Sequence, residues 1–211
     1  MKAILDTLIE RYPALATCRD SIWSAAQALV DSYAAGGKLL IAGNGGSAAD
    51  AEHIVGEMMK SFVLRKKLPE GYGDALVAAD PDMGAFLRDN LHGALPAIAL
   101  DGHVALTTAC MNDFDPQLGF AQQVNGYGCP GDVFLAISTS GNSRNVLYAA
   151  VAARARGLKV IGLTGERPSK LDALCDICIK VPAVETFKVQ EFHLPVYHCL
   201  CLMVEHHFYK D

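Results

Sequence analysis

Apolar positions along the chain follow two different rhythms. From residue 2 to residue 34 they recur at helical spacing. Ile4, Leu5, Leu8, Ile9 and Tyr12 share one face; Ile22, Trp23, Ala26, Leu29, Val30 and Tyr33 share another. Pro13 interrupts the run, Asp20 is placed to cap the second helix, and Gly36-Gly37 ends it. Beyond Gly37 short apolar runs alternate with helical stretches. The runs at 38–42, 96–100, 132–137, 158–164 and 176–181 read as strands. Helices are expected at about 48–60, 103–109, from the loop at 138–143 to about Arg156, and at about 189–209.

Near-continuous apolar strands between helices imply a parallel sheet covered on both faces. The expected fold is therefore α/β: a three-layer sandwich around a five-stranded parallel sheet, with N-terminal helices over 1–36 and a long C-terminal helix. Ligands in such sheets bind at the carboxyl ends of the strands, near the point where strand order reverses. Residues 62–95 break the rhythm and read as an insertion with one short helix at about 81–91. The whole of 1–211 reads as one domain, a length that buries roughly 70% of the unfolded surface without a disulfide or metal staple.

Two strand-to-helix loops carry candidate chemistry. The first is Gly43-Asn44-Gly45-Gly46-Ser47. Its glycines permit positive φ and close backbone approach to a ligand, and Ser47 is placed to cap a helix whose amides favour an anion. Gly43, Gly45 and Ala48 also satisfy a loose dinucleotide-binding pattern, which would make the protein a nucleotide-dependent oxidoreductase. That pattern wants an acid about 20 residues on, whereas the next strand ends at Asp101. The other loop is Ser138-Thr139-Ser140-Gly141-Asn142-Ser143. Four hydroxyls beside the free amides of a helix start suit a phosphate monoester. His53 and Glu57, four apart on the helix after the first loop, share a face. They suit either a metal or acid–base work.

Composition narrows the class. The chain is 51% hydrophobic and 19% charged with a formal charge of −5, which excludes disorder and a generic polyanion binder. No apolar stretch reaches the roughly 18–20 residues of a membrane span. Acids at Asp6 and Glu10 argue against a signal peptide. The expectation is a soluble cytoplasmic protein with neither nucleic acid nor membrane as partner. Seven cysteines, an odd number, suggest reduced thiols. Cys175 and Cys178 form a CxxC that half a zinc site or a redox pair would also show. With no second CxxC to follow, it reads as structural, in a buried strand.

The two loops, the helix through Asp50-Ala51-Glu52-His53, and Gln190-Glu191-Phe192-His193 with His198 resemble the SIS (sugar isomerase) domain, and within it the phosphoheptose isomerases. The resemblance covers nearly the whole chain and implies a flavodoxin-like strand order. It implies that Asn44, Gly45, Gly46 and Ser47 line a sugar site together with Asn112, Asp113, Glu57 and Gln190. Ser138, Thr139, Ser140 and Ser143 would hold the phosphate. His53, Glu57, Gln190 and His198 would bind zinc, and Glu57 and His198 would be the acid–base pair. The implied reaction is aldose–ketose isomerisation of sedoheptulose 7-phosphate through an enediol, supplying heptose for surface glycans. A non-catalytic phosphosugar-binding regulator of the same fold is the alternative. The likeness also points to a homotetramer with shared active sites. Gln190 and His198 are eight residues apart, about 12 Å of rise on a straight helix. Zinc donors must come within about 3–4 Å of each other. Either two chains supply them, or Pro195 kinks the helix and brings them together within one.

Overall fold

The computed structural model describes residues 1–210. The N-terminal region is α1 (Lys2–Arg11), a 3₁₀ turn (Pro13–Cys18) and α2 (Arg19–Ala34). Asp20 is not the cap of α2. The helix begins one residue earlier, after Cys18, and Asp20 lies in its first turn, where a carboxylate still favours the helix dipole. Gly36, at φ +81°, ends the segment in a left-handed conformation that a side chain would strain.

The sheet follows as expected: β1 (Leu39–Ala42), β2 (Ala97–Ala99), β3 (Val133–Ile137), β4 (Lys159–Gly165) and β5 (Ile177–Val181). All pairs are parallel, in the order β2-β1-β3-β4-β5. Leu39, Ile41, Leu135 and Ile137 pack into one core with α1, α2, α3 (Gly46–Met59) and α9 (Thr186–Tyr209). Leu40, Ala42, Phe134 and Ala136 pack into a second core with α7 (Gly119–Tyr127) and α8 (Arg144–Ala155). Alternate residues of β1 and β3 thus face opposite cores, which is why these strands read as continuous apolar runs.

Two regions differ from the sequence reading. Residues 62–95 hold two helices, α4 (Tyr72–Ala79) and α5 (Pro81–Asn90), where one was expected. Asp80 caps α5, accepting from the Asp82 and Met83 amides, with Pro81 in the first turn. α4 buries no residue, so it carries little apolar periodicity of its own. It packs on α5 at Gly84, where a Cβ would stand 2.0 Å from the Leu76 carbonyl oxygen. Between β2 and β3 the structure has α6 (Val104–Asp113), longer than expected, and then α7, which was not anticipated. Pro195 does not break α9, which runs as one helix of 24 residues. No helix among the described residues is long and apolar enough to cross a membrane.

One buried cation ties α3 to α9. The Lys66 Nζ donates to the carbonyls of Glu57, Met58 and Lys60 at 2.7, 2.9 and 2.6 Å, satisfying acceptors that the end of α3 leaves open. It stands 3.9 Å from Glu205 on α9. Glu205 in turn accepts the amides of Phe62, Val63 and Leu64. Both side chains are buried. Burial pulls the Lys66 ammonium below the usual lysine range, and Glu205 opposes that shift. Lys66→Met is expected to destabilise the protein by about 3–5 kcal/mol, the usual result of stranding one buried charge. A urea-unfolding midpoint unchanged from wild type would contradict this role.

Candidate functional site

β1 lies between β2 and β3, so the chain leaves β1 towards one edge and later returns on its other side. The order reverses between β1 and β3, and both chemistry-bearing loops start at the carboxyl ends of these strands. They touch across the gap: the Asn44 and Asn145 side-chain amides exchange two hydrogen bonds, at 3.0 and 2.8 Å.

In the first loop Gly45 has φ +57° and ψ −119°, a conformation open to glycine alone. Gly46 faces α9, and a Cβ there would fall 2.4 Å from the Gln190 side-chain nitrogen. Gln190 therefore rests against the start of α3. The expected cap differs. α3 begins at Gly46 with no side-chain cap, and Ser47 is buried inside its first turn. No side chain accepts the amides of that turn; those of Ser47 and Ala48 bond to the Asn44 and Gly45 carbonyls at 3.1 and 3.0 Å.

In the serine loop Ser143 stands at the cap position of α8, but its hydroxyl does not cap the helix. It pairs instead with the buried Ser138 hydroxyl at 3.1 Å. Gly141 turns the loop at φ +64°. Ser140 accepts the Asn142 amide, and the Thr139 carbonyl accepts the Gly165 amide. Beside this loop lies a cavity of about 260 Å³ lined by Thr139, Ser140, Asn142 and Arg167. Arg167 was not singled out from sequence, because nothing local marks it. Asn112 and Asp113 bond to each other at the exposed end of α6.

The acid–base candidates meet farther along α3. α3 and α9 run side by side in the same direction: Gly46 meets Gln190, His53 meets Tyr197 and His198, and the segment after α3 meets Glu205. His53 Nε2 is 3.3 Å from Glu57 Oε1, and Lys60 Nζ is 2.9 Å from Glu57 Oε2. The His53 and His198 rings are 5.0 Å apart, edge to face. His198 Nε2 is buried with no hydrogen-bond partner. Burial, with His53 nearby, holds its imidazole below the ordinary histidine range. The structure thus joins His53, Glu57 and His198 and sets Gln190 apart, at the other end of the shared helix face.

Two further groups belong here. The buried Tyr197 hydroxyl is 3.0 Å from His53 Nδ1 and lies beside Asp50, whose second carboxylate oxygen has no partner. Burial raises the Asp50 carboxyl above the usual range, while the Tyr197 hydroxyl works against that rise. A hydroxyl on Nδ1 sets the ring orientation and leaves Nε2 facing Glu57. Tyr197 was invisible in the sequence because an aromatic on an apolar helix reads as core.

The donor types suit zinc, which accepts imidazole nitrogen and carboxylate oxygen, and the orphaned His198 Nε2 is the kind of atom a metal satisfies. Within one chain the cage is not closed. No group of three or more His, Cys, Asp or Glu side chains is disposed to hold a metal among the described residues.

A model of the SIS domain matches residues 5–72 and 84–165. The chain belongs to the SIS domain family. The unmatched gap falls on α4 and the start of α5, so only part of 62–95 departs from the family pattern. A phosphoheptose isomerase of Rhodospirillum rubrum is 38% identical over 205 residues, covering 97% of this chain and 95% of that protein. One from Thiobacillus denitrificans is 42% identical over 183 residues, covering 85% and 80%. The solved structure of a phosphoheptose isomerase from Francisella tularensis superimposes with a TM-score of 0.75 at 30% identity, covering 96% and 95% of the two chains.

Tyr197→Phe should keep the packing and free the His53 ring. The expected result is a roughly 10-fold or greater fall in kcat with KM changed less than about twofold, as for other groups that orient an active-site histidine. A change confined to KM would contradict the assignment.

Proposed function

We propose that the protein isomerises sedoheptulose 7-phosphate to an aldoheptose 7-phosphate, with zinc, in an active site completed between subunits of a homotetramer. Full-length likeness to phosphoheptose isomerases supports catalysis over the regulator reading. The observation that carries the chemistry is the meeting of Glu57, His53 and the unpartnered Nε2 of His198 where α3 and α9 run together.

The reaction moves a proton from C1 to C2 through an enediol. The Glu57 carboxylate takes the C1 proton, while His53 and Lys60 hold its two oxygens in place. With no metal on it, the unpartnered His198 Nε2 can exchange a proton with the carbonyl oxygen as charge develops there; a metal held by that atom would take over this role. Each such proton transfer is worth typically 10²–10⁴-fold. The phosphate sits against the Ser138, Thr139, Ser140 and Ser143 hydroxyls and the uncapped start of α8. Asn44, Gly45, Gly46 and Ser47 border the sugar with Asn112 and Asp113. His53, Glu57, His198 and Gln190 are the residues that would hold zinc. When bound, it would polarise the carbonyl and stabilise the enediolate.

The shared site rests on one measurement in the fold. Gln190 lies against Gly46, seven residues before His53, so about 10 Å of helix rise separates it from the His53–His198 pair of its own chain. α9 is continuous through Pro195. Gln190 from one subunit beside His53, Glu57 and His198 from another closes the donor set.

Glu57→Gln is expected to lower kcat on sedoheptulose 7-phosphate at least 100-fold, followed by NMR, while substrate binding is kept. A variant retaining more than about a tenth of wild-type turnover would sink the base assignment. Mixing inactive Glu57→Gln subunits with inactive Gln190→Ala subunits should restore part of the activity. No recovery, despite subunit exchange confirmed by mass spectrometry, would overturn the shared site.

A further inference from the structure

The CxxC at Cys175 and Cys178 has no part in the chemistry above, yet its surroundings are specific. Gly162 on β4 pairs in register with Cys178 on β5. Lacking a side chain, Gly162 leaves a hollow that both sulfurs enter. A Cβ there would stand 2.5 Å from Cys175 Sγ and 3.3 Å from Cys178 Sγ. Both cysteines are half-buried at the sheet's edge, Cys178 on β5 and Cys175 just before it, so small reagents reach them. The other cysteines are either alone or buried in the core, Cys129 being the exposed one.

The pair is wired to the serine loop. The Cys178 thiol donates to Asp172 Oδ1 at 3.7 Å. The same carboxylate holds Lys180 Nζ at 2.7 Å, the Ser169 hydroxyl at 2.7 Å and the Ser169 amide at 3.1 Å. Ser169 packs directly on Gly141, where no Cβ would fit. The next two amides brace the loop as well: Lys170 donates to the Asn142 side chain and Leu171 to the Gly141 carbonyl, each at 3.1 Å. Cys175 closes the strap, its amide donating to the Leu171 carbonyl. Residues 169–175 therefore form one strap with the serine loop at one end and the cysteine pair at the other. The neighbouring Cys175 thiol holds Cys178 below the ordinary thiol range and Lys180 adds to that, while burial and the Asp172 carboxylate oppose it.

We propose that Cys175 and Cys178 are a redox modification site, closing to a reversible disulfide that loosens the serine loop through the 169–172 strap. The oxidant class is a peroxide. Cys178 thiolate attacks one peroxide oxygen; an S–O bond forms, the O–O bond breaks, and one water leaves. Cys175 then attacks the Cys178 sulfur, the S–S bond forms, and the hydroxyl departs as a second water. Two thiols lose two electrons and two protons, and the peroxide is reduced to two waters. A dithiol reverses the change. In the disulfide, Cys178 no longer donates to Asp172, so the carboxylate that positions Ser169 loses one of its donors.

The site itself is independent of the function proposed above; its effect on phosphosugar binding rests on that reading. The test uses the full chain carrying Cys129→Ser, treated with hydrogen peroxide and then dithiothreitol. The tryptic peptide 171–180 should lose two hydrogens and resist alkylation, reversibly. KM for sedoheptulose 7-phosphate should rise about threefold or more, with kcat changed less than twofold, and Cys175→Ser should abolish the response. Both thiols still alkylated after peroxide would overturn the site. The same KM response in Cys175→Ser would overturn it too. Ser138→Ala with Ser143→Ala separates the two readings. If oxidation leaves KM unchanged although this double variant raises it, the coupling is wrong and the loop reading stands. If neither moves KM while the disulfide maps, the loop reading fails and the coupling with it.

Discussion

A lysine ammonium inside the protein holds the arrangement of the site. Lys66 binds the open carbonyls at the end of α3 and faces Glu205, and Glu205 gathers the three amides that follow. A helix end buried without such partners is costly, because its carbonyls have lost water and gained nothing. Here one cation satisfies three acceptors and one anion satisfies three donors, so each charge is both paired and hydrogen-bonded, the condition under which burial is tolerated. The result is positional: the end of α3 cannot slide along α9.

With that end fixed, the common direction of α3 and α9 decides what meets what. His53 and Glu57 face Tyr197 and His198, while Gln190 is held at the glycine loop, about 10 Å of rise away. The chain thereby separates the proposed anion-binding end from the proposed acid–base end along one pair of helices. The shared site proposed above rests on this separation. Among the described residues the proposed zinc ligands form no metal cage within one chain.

At the proposed anion-binding end neither α3 nor α8 has a side-chain cap: Ser47 lies inside the first turn of α3, and Ser143, at the cap position of α8, does not cap it. Ser143 bonds Ser138 instead, so the two hydroxyls pair with each other rather than with the start of α8. The strap from Ser169 to Cys175 supports that surface from behind, which links the loop's shape to groups on the far edge of the sheet.

Much of this was legible in the chain itself. Apolar runs between helices determined the parallel sheet, since strands buried on both faces have no polar side to show. Short motifs determined the two loops and their family, because glycine at positive φ and clustered hydroxyls act within a few residues of one another. What the sequence could not decide were relations between residues far apart. Pro195 looked like a possible interruption, but α9 is continuous through it. α4 was hidden because it buries no residue, whereas α7 buries Phe120, Gln123 and Val124 at helical spacing and was missed for want of a marked start, since it has no side-chain cap. Lys66 looked like one more basic residue in Arg65-Lys66-Lys67, Tyr197 like core, and CxxC like strand filler. Each acquired its role from a partner far along the chain: Glu205 is 139 residues from Lys66 by their numbers, and His53 is 144 from Tyr197. Local pattern reports the period and the turn. Only the packed structure brings such distant side chains within hydrogen-bonding range, so only it could decide which of them act together.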